Sequence, residues 1–408
     1  MDIHILQYHT LCLRYHIIID SMEKKIMFDN SKENSKKVIA FYLPQYHAIP
    51  ENNKWWGENF TEWVNTRKAR PLFPGHYQPK VPLHENYYDL SHVEVMEKQA
   101  ELAKKYGVYG FCYYHYWFKD GKKLLEKPVE NMLHDRKVDI PFCLSWANEN
   151  WSRNWDGGNR EIIMEQDYGD KIDWEKHFIY LLDFFKDDRY IKVDNKPLLL
   201  IYKPEQIDKF NDMVKYFKNR AIQEGFNDLL ILRQNPSSFI DKYFDDSYID
   251  YTVKFEPATY WALQSIKESS LVKEMCKSIL HKLNLDNIRI KLRRYRDSHA
   301  KPQLRKYNYD EAWNYILNSE PYNEKIINGA FVDWDNTARN KNGALFVGAT
   351  PDKFYDYMSE LVKKESALNM IFINAWNEWA EGAYLEPDEK YSYGYLEALK
   401  KSLLNNID

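Results

Sequence analysis

The chain is predicted to be an α/β protein, a (β/α)8 barrel of the TIM type with long βα loops and a helical insertion between strands six and seven. Three observations carry that expectation. Eight short apolar runs recur along the 408 residues, and most are followed by a helical pattern. Runs such as VIAFY, PLLLIY and MIFIN are apolar at consecutive positions, as strands covered on both faces require. Polar and aromatic residues crowd just after the runs, at the strand ends where a barrel gathers its active site. The alternative, an open doubly wound sheet, calls for a glycine-rich first βα turn; there is no GxGxxG or GxxxxGK[ST], and glycine is only 14 of 408 residues.

The elements follow in order. Lys37 to Tyr42 reads as strand one, broken by Pro44. A long loop then carries Trp55-Trp56-Gly57, NFTEW and a proline-rich run from Pro71 to Pro82, until Ser91 caps a helix reaching Tyr106. Val108–Tyr114 is strand two, with a helix over Leu124–His134, and Pro141–Trp146 is strand three, with a helix over Trp174–Phe185. Pro197–Tyr202 is strand four, followed by the Glu205–Arg220 helix. Leu229–Leu232 and Tyr248–Val253 are strands five and six. Ala330–Val332 is strand seven, with the Asp352–Lys363 helix, and Met370–Asn374 is strand eight, with the Tyr395–Leu404 helix. Residues 37–408 are expected to form one catalytic domain, in which 255–329 is a helical, basic insertion. Residues 1–36 read as a poorly ordered extension, with Met22 or Met27 as an alternative start.

Composition narrows the function classes. A net charge of -4 gives no reason to expect nucleic acid, whereas 16% aromatic residues, including 32 Tyr and 13 Trp, supply flat apolar faces in quantity. The four cysteines, Cys12, Cys112, Cys143 and Cys276, lack CxxC spacing, which argues against zinc and for reduced thiols in the cytoplasm. No run approaches the ~18 apolar residues of a membrane span.

The motif that organises the reading is NAWNEWAEGAYLE, from Asn374 to Glu386. Glu378 and Glu381 lie three apart, so a coil after the strand would turn both carboxylates to one side. Two acids held close push each other's pKa values apart, one staying protonated while the other is charged, which is the pairing that glycosidic cleavage needs. Any random ExxE is more often solvated or ion-paired; position after a buried strand, between tryptophans, favours catalysis here.

The other strand ends supply a rim for sugar rings and hydroxyls. Strand one and its loop offer His47 and Trp56, and strand two Tyr114 and His115. Strand three offers Trp146, Asn148, Glu149 and Trp151, strand five Arg233, strand seven Asp333 and Trp334, and strand eight Trp376, Asn377 and Trp379. Glu149 is the competing acid. His47 and His115 lack HxH or HExxH spacing and read as substrate contacts or structural imidazoles ahead of metal ligands, so neither a metal nor a cofactor is expected. Asp333-Trp334-Asp335 fits the DxD of metal-dependent sugar-nucleotide transferases, but without a nucleotide-binding βαβ context. Lys282 to Lys306 holds nine Lys or Arg against two Asp, with Leu285, Ile288, Leu292 and Tyr295 at helical spacing. A helix packed on the barrel with a solvated charged face is the first reading; contact with anionic lipid or a phosphate-bearing glycan is the second.

The strings AFYLPQYHAIPENNKWWGENFTEW, GFCYYHYWF with LLEKPVE, PFCLSWANENWSRNWDGG and INAWNEWAEGAYLEPD resemble the WbsX family of bacterial O-antigen and capsule clusters, from Val38 to Asp388. NEWAEG is also similar to the NEWxEG of family-99 glycoside hydrolases, the endo-α-mannosidases and endo-α-mannanases. The resemblance implies a (β/α)8 barrel and a retaining reaction on an α-linked bond in which the substrate's own 2-hydroxyl attacks the anomeric carbon. It implies Glu378 as base on that hydroxyl and Glu381 as acid to the leaving group, then base to water, with no metal or organic cofactor. The expected function is therefore a glycosidase or transglycosylase acting on a surface polysaccharide or its lipid-linked precursor, cytoplasmic and peripheral to the inner membrane. A sugar-nucleotide glycosyltransferase and a non-catalytic carbohydrate-binding barrel are the alternatives.

Overall fold

The computed structural model describes residues 36–152, 162–235, 244–268, 304–319, 323–340 and 342–405. Within the unit Lys37–Asp408, eight parallel strands close on themselves. They are β1 (Lys37–Tyr42), β2 (Gly110–His115), β3 (Phe142–Trp146), β4 (Lys196–Ile201), β5 (Leu230–Asn235), β6 (Tyr251–Lys254), β7 (Ile326–Phe331) and β8 (Met370–Asn374). Each pairs with its neighbours in chain order; β1 pairs with β8 (Val38 beside Ile371), and β3 pairs with β4 (Leu144 beside Leu199), so no barrel edge is left open. This is the (β/α)8 barrel that the continuous apolar runs predict.

Alternation along the strands decides what each residue faces. Phe41 of β1 meets Tyr114, Phe372 and, from across the barrel, Phe255, with ring centroids 5.8, 5.5 and 5.2 Å apart. Ser145 of β3 donates to Gln234 of β5 at 2.8 Å inside the same core. The intervening residues point outward: Tyr42 donates to Gln99 at 2.5 Å, and His115 reaches His177 at 2.9 Å. Burying each such phenyl ring contributes roughly 1.5–3 kcal/mol, so register is strongly specified. Cys112 and Cys143 sit side by side on β2 and β3 as buried free thiols.

The long loop after β1 contains α1 (Pro50–Trp56) and α2 (Glu62–Lys68). The outer layer continues with α3 (Val93–Lys105), α4 (Lys127–His134), α5 (Lys171–Lys186), α6 (Phe210–Gln223), α7 (Ala258–Glu268), α8 (Tyr309–Asn318), α9 (Pro351–Lys363) and α10 (Gly394–Leu404). Ser91 does not cap α3. Asp89 accepts from the Ser91 amide at 2.7 Å, an Asx turn that delays the helix to Val93. The start of α5 is set by Asp170 and Asp173 in a reciprocal capping box, before the expected Trp174. Pro204–Gln206 forms a separate 3₁₀ turn, so α6 begins at Phe210 and not at Glu205.

The insertion differs most from expectation. Its described part is helix α7, a strand Arg305–Asn308 pairing in parallel with Ala344–Val347, and helix α8. Trp313 of α8 stacks on Phe331 of β7 at 5.5 Å and on Tyr357 of α9 at 5.5 Å, so α8 belongs to the barrel's own outer layer. Most of the basic stretch 282–306 lies outside the described residues; Arg305 and Lys306 are in the strand, not in a helix. Strand seven starts at Ile326, inside the range assigned to the insertion. Its Asn328-Gly329 reads as a turn signal, yet a Cβ at Gly329 would stand 1.8 Å from the Lys254 carbonyl oxygen, so glycine here permits close approach of β6 and β7.

Candidate active site

After β8 the chain makes a tight hairpin. Asn377–Glu378 pairs antiparallel with Ala383–Tyr384 around a 3₁₀ turn, Trp379–Glu381, which Gly382 ends at φ +65°. Three residues per turn eclipses positions i and i+3, so Glu378 and Glu381 face the same way. Gly382 is obligatory twice over: its backbone is left-handed, and a Cβ would lie 2.9 Å from the Asp335 amide nitrogen. That nitrogen donates to the Glu381 carbonyl at 2.6 Å, tying the hairpin to the loop after β7.

Buried polar side chains hold the hairpin from behind. Asn377 accepts from the Leu43 amide at 2.7 Å and donates to its carbonyl at 3.0 Å. The Tyr46 hydroxyl donates to the Asn377 carbonyl at 2.5 Å and accepts from the Trp379 amide at 3.2 Å. Trp379 stacks on Tyr384 with centroids 3.8 Å apart and donates through Nε1 to Glu386 at 2.7 Å. Glu386 also accepts from Gln99 at 2.6 Å and Tyr88 at 2.8 Å. Burial pushes its carboxyl up to about 7 despite these donors.

The carboxylates converge on one guanidinium. Arg339 donates to Glu62 of α2 through Nε at 3.2 Å and lies within 3.0 Å of it through Nη2. Nη2 is 3.5 Å from Glu378, and Nη1 pairs with Glu381. Three carboxylates around one largely enclosed cation cannot all be charged cheaply. Burial, then the charge of Glu381, raises the Glu378 pKa well above the usual carboxylate range, with Arg339 opposing. Glu381 is raised by burial, offset by Arg339. Its side chain keeps 22% of its surface open against 9% for Glu378, so solvent relieves it more. The tyrosines Tyr46, Tyr114 and Tyr116 around Glu378 are buried and held protonated.

Glu62 and Arg339 also line a cleft of about 1010 Å³, walled by the indoles of Trp55, Trp56 and Trp151. Glu378 and Glu381 are not in its wall; Arg339 connects them to it. Trp151 packs edge-on against Tyr116 at 5.1 Å and Trp55 at 6.2 Å.

Of the residues singled out in the sequence, the structure brings Glu378, Glu381 and Tyr114 together and places Trp56 and Trp151 in the adjoining cleft. Trp376 and Trp379 are fully buried, so neither presents a face to a ligand. Asn377 is the brace described above. His115 and Trp146 point outward: His115 meets His177, and Trp146 packs edge-on against the same ring at 4.6 Å. Burial lowers His115 to about 3, which leaves it neutral. Asn148 bridges to Lys203, accepting from its amide and donating to its carbonyl at 2.8 Å each, and Glu149 pairs with the Lys203 ammonium. Arg233 lies 3.4 Å from Glu205 and over Phe244. Trp334 packs on Trp261 at 4.9 Å. His47 is buried with Nδ1 on the Pro44 carbonyl at 3.0 Å, and its Nε2 has no hydrogen-bond partner among the described residues.

The two aspartates of the DxD triplet are already engaged. Asp333 pairs with Lys80 at 3.1 Å; Asp335 accepts from His76 and Gln78 at 2.8 Å each and from the Thr337 amide at 3.1 Å. These bonds hold Asp335 low against the upward push of burial and form the turn from which Arg339 emerges. Glu62 and Arg339 are the site residues that sequence reasoning misses. Glu62 stands in the aromatic NFTEW string, a usable signal, whereas Arg339 sits in an unremarkable polar loop.

The chain matches the family described as Glycosyltransferase WbsX over residues 38–399. It is 34% and 33% identical, over 379 residues, to the uncharacterized protein WxcX of two strains of Xanthomonas campestris pv. campestris. Those matches take 91% of this chain and 50% of each relative, so the chain spans about half the length of the curated relatives it matches. Among solved structures it is similar to the GH99 endo-alpha-mannosidase from Bacteroides thetaiotaomicron, with TM-score 0.50, 14% identity and coverage of 90% of this chain and 96% of that one. It is similar also to a glycoside hydrolase-like protein, with TM-score 0.51, 11% identity and coverage of 91% and 94%. At these identities the structural likeness is one of fold, while the match along the sequence is one of family: the chain belongs to the WbsX family.

Proposed function

We propose that this protein is a glycan-processing enzyme that cleaves or transfers an α-linked glycosidic bond of a bacterial surface polysaccharide, or its lipid-linked precursor, with retention. The observation that carries the reading is the raised, mutually interacting pair Glu378 and Glu381 beside an indole-walled cleft. Glu378 takes the proton of the sugar's 2-hydroxyl as that oxygen bonds to the anomeric carbon, and Glu381 gives its proton to the departing glycosidic oxygen. Water or an acceptor hydroxyl then attacks the same carbon, losing its proton to Glu381, while the 2-oxygen leaves and recovers a proton from Glu378. Before substrate binds, burial favours the proton on Glu378. A 2-hydroxyl donating to that carboxylate favours its charged form and moves the shared proton to Glu381, where the reaction needs it.

The family description favours a second reading, sugar-nucleotide-dependent transfer. Against it, both DxD carboxylates are committed to Lys80, His76 and Gln78. Mass spectrometry of products formed in ¹⁸O water from α-mannans and bacterial surface polysaccharides, beside Glu381→Gln, tests the choice. Shorter heavy-oxygen products absent with the variant support hydrolysis; transfer only upon addition of nucleotide sugars overturns it. Binding to glycans with no turnover of any kind would point to a non-catalytic barrel.

Among the described residues no helix is long and apolar enough to cross a membrane. We place the enzyme at polymer assembly on the cytoplasmic side, with 282–306 as its contact with anionic lipid. Flotation with anionic vesicles tests this, and no flotation would remove it.

A further inference from the structure

We propose that the cleft takes an acidic glycan, one whose sugars carry carboxylate or phosphate groups, and that Lys68 and Arg70 hold those groups. The proposal rests on the reading of the cleft as a glycan site and adds the charge of the substrate. The described wall holds three cations, Lys68, Arg70 and Arg339, against one carboxylate, Glu62. Glu62 is bound to Arg339, and Glu378 and Glu381 compensate the same guanidinium. Lys68 and Arg70 are what is left over, and among the described residues neither has a carboxylate partner. In a chain of net charge -4, two uncompensated cations in the wall of one cleft are not a by-product of an overall basic surface.

Arg70 is also pre-positioned. At the end of α2 its Nη1 donates to the carbonyls of Arg67 at 3.2 Å and Ala69 at 2.7 Å. Those two bonds tether one nitrogen of the guanidinium at the cleft wall and leave Nε and Nη2 uncommitted among the described residues, a fork that suits carboxylate and phosphate oxygens. Lys68, exposed two residues earlier, adds a mobile point charge. The indoles opposite supply ring stacking, which is indifferent to charge. Neutral sugars would therefore find the stacking surface, while acidic ones find both.

Binding of the full chain, carrying Glu381→Gln to prevent turnover, is measured by calorimetry at low and at physiological salt. The probes are a uronic-acid oligosaccharide and a phosphorylated mannan, each beside its carboxyl-reduced or dephosphorylated counterpart. At least one acidic form should bind about tenfold more tightly than its neutral counterpart, a preference that shrinks with salt. Which acid shows it identifies the anion. The charge reversal Lys68→Glu with Arg70→Glu should abolish the preference for the acidic over the neutral form; should the double variant fold poorly by circular dichroism, Lys68→Gln and Arg70→Gln singly should each reduce it. Equal binding of acidic and neutral forms, or a preference indifferent to these substitutions, overturns the inference while the glycan cleft stands. No binding of any glycan, acidic or neutral, overturns the cleft reading and this inference together.

Discussion

Arg339 and Glu62 are joined by two contacts to a single carboxylate oxygen, Nε at 3.2 Å and Nη2 at 3.0 Å. Glu62 is buried and Arg339 largely so, and they come from the loop after β1 and the loop after β7, 277 positions apart in the chain. The pair fixes a guanidinium between Glu378 and Glu381 and adds a third negative charge to their surroundings.

That third charge has a kinetic signature. Glu62 raises the pKa of both Glu378 and Glu381. Glu62→Gln should therefore move the basic limb of the pH profile of kcat/KM to lower pH, since the proton on the pair is lost sooner. An unmoved limb with unchanged activity would remove Glu62 from the electrostatics of the site.

Glu378→Gln and Glu381→Gln should each lose about 10²- to 10⁴-fold in turnover, the usual contribution of a positioned acid or base. Glu378→Gln should leave the melting temperature unchanged, because burial already favours the neutral form of that carboxyl. Near-normal activity in both variants would overturn the assignment.

Gly382→Ala should destabilise the protein by about 2 kcal/mol or more, combining a left-handed backbone with a contact to Asp335 that has no room for Cβ. Because the hairpin must shift, turnover should fall as well, although the residue carries no reacting group. Thermal melts and initial rates on the same preparation check both parts.

Glu386 predicts how stability follows pH. Its pKa in the folded protein is pushed up to about 7, from an ordinary value of about 4.5. The folded state then binds more protons than the unfolded one between those values. Its contribution to stability is complete below about pH 4.5 and is lost as the pH rises to about 7, by up to about 3 kcal/mol. Melting temperatures at pH 5, 6, 7 and 8 should fall more steeply for the natural protein than for Glu386→Gln; parallel curves would contradict the role given to this carboxyl.

Most strands were legible in the sequence, because strands covered on both faces are largely apolar at consecutive positions; the start of strand seven, at Ile326, was not. VIAFY and MIFIN can be read as barrel strands without knowing what they pair with; that they lie side by side was decided by closure of the barrel. The ExxE spacing was equally legible, since a 3₁₀ turn needs only local geometry to align Glu378 with Glu381. Tertiary structure alone decided which rim residues share the site. Strand alternation splits neighbours, turning Tyr114 toward Glu378 and His115 toward His177, and hairpin packing turns Trp376 and Trp379 into core while Trp55, Trp56 and Trp151 take the cleft. The Arg339–Glu62 pair was beyond any local pattern for the same reason. A buried charge is tolerated only beside its counter-charge, and closure of the barrel, not proximity in the chain, brings those two loops together.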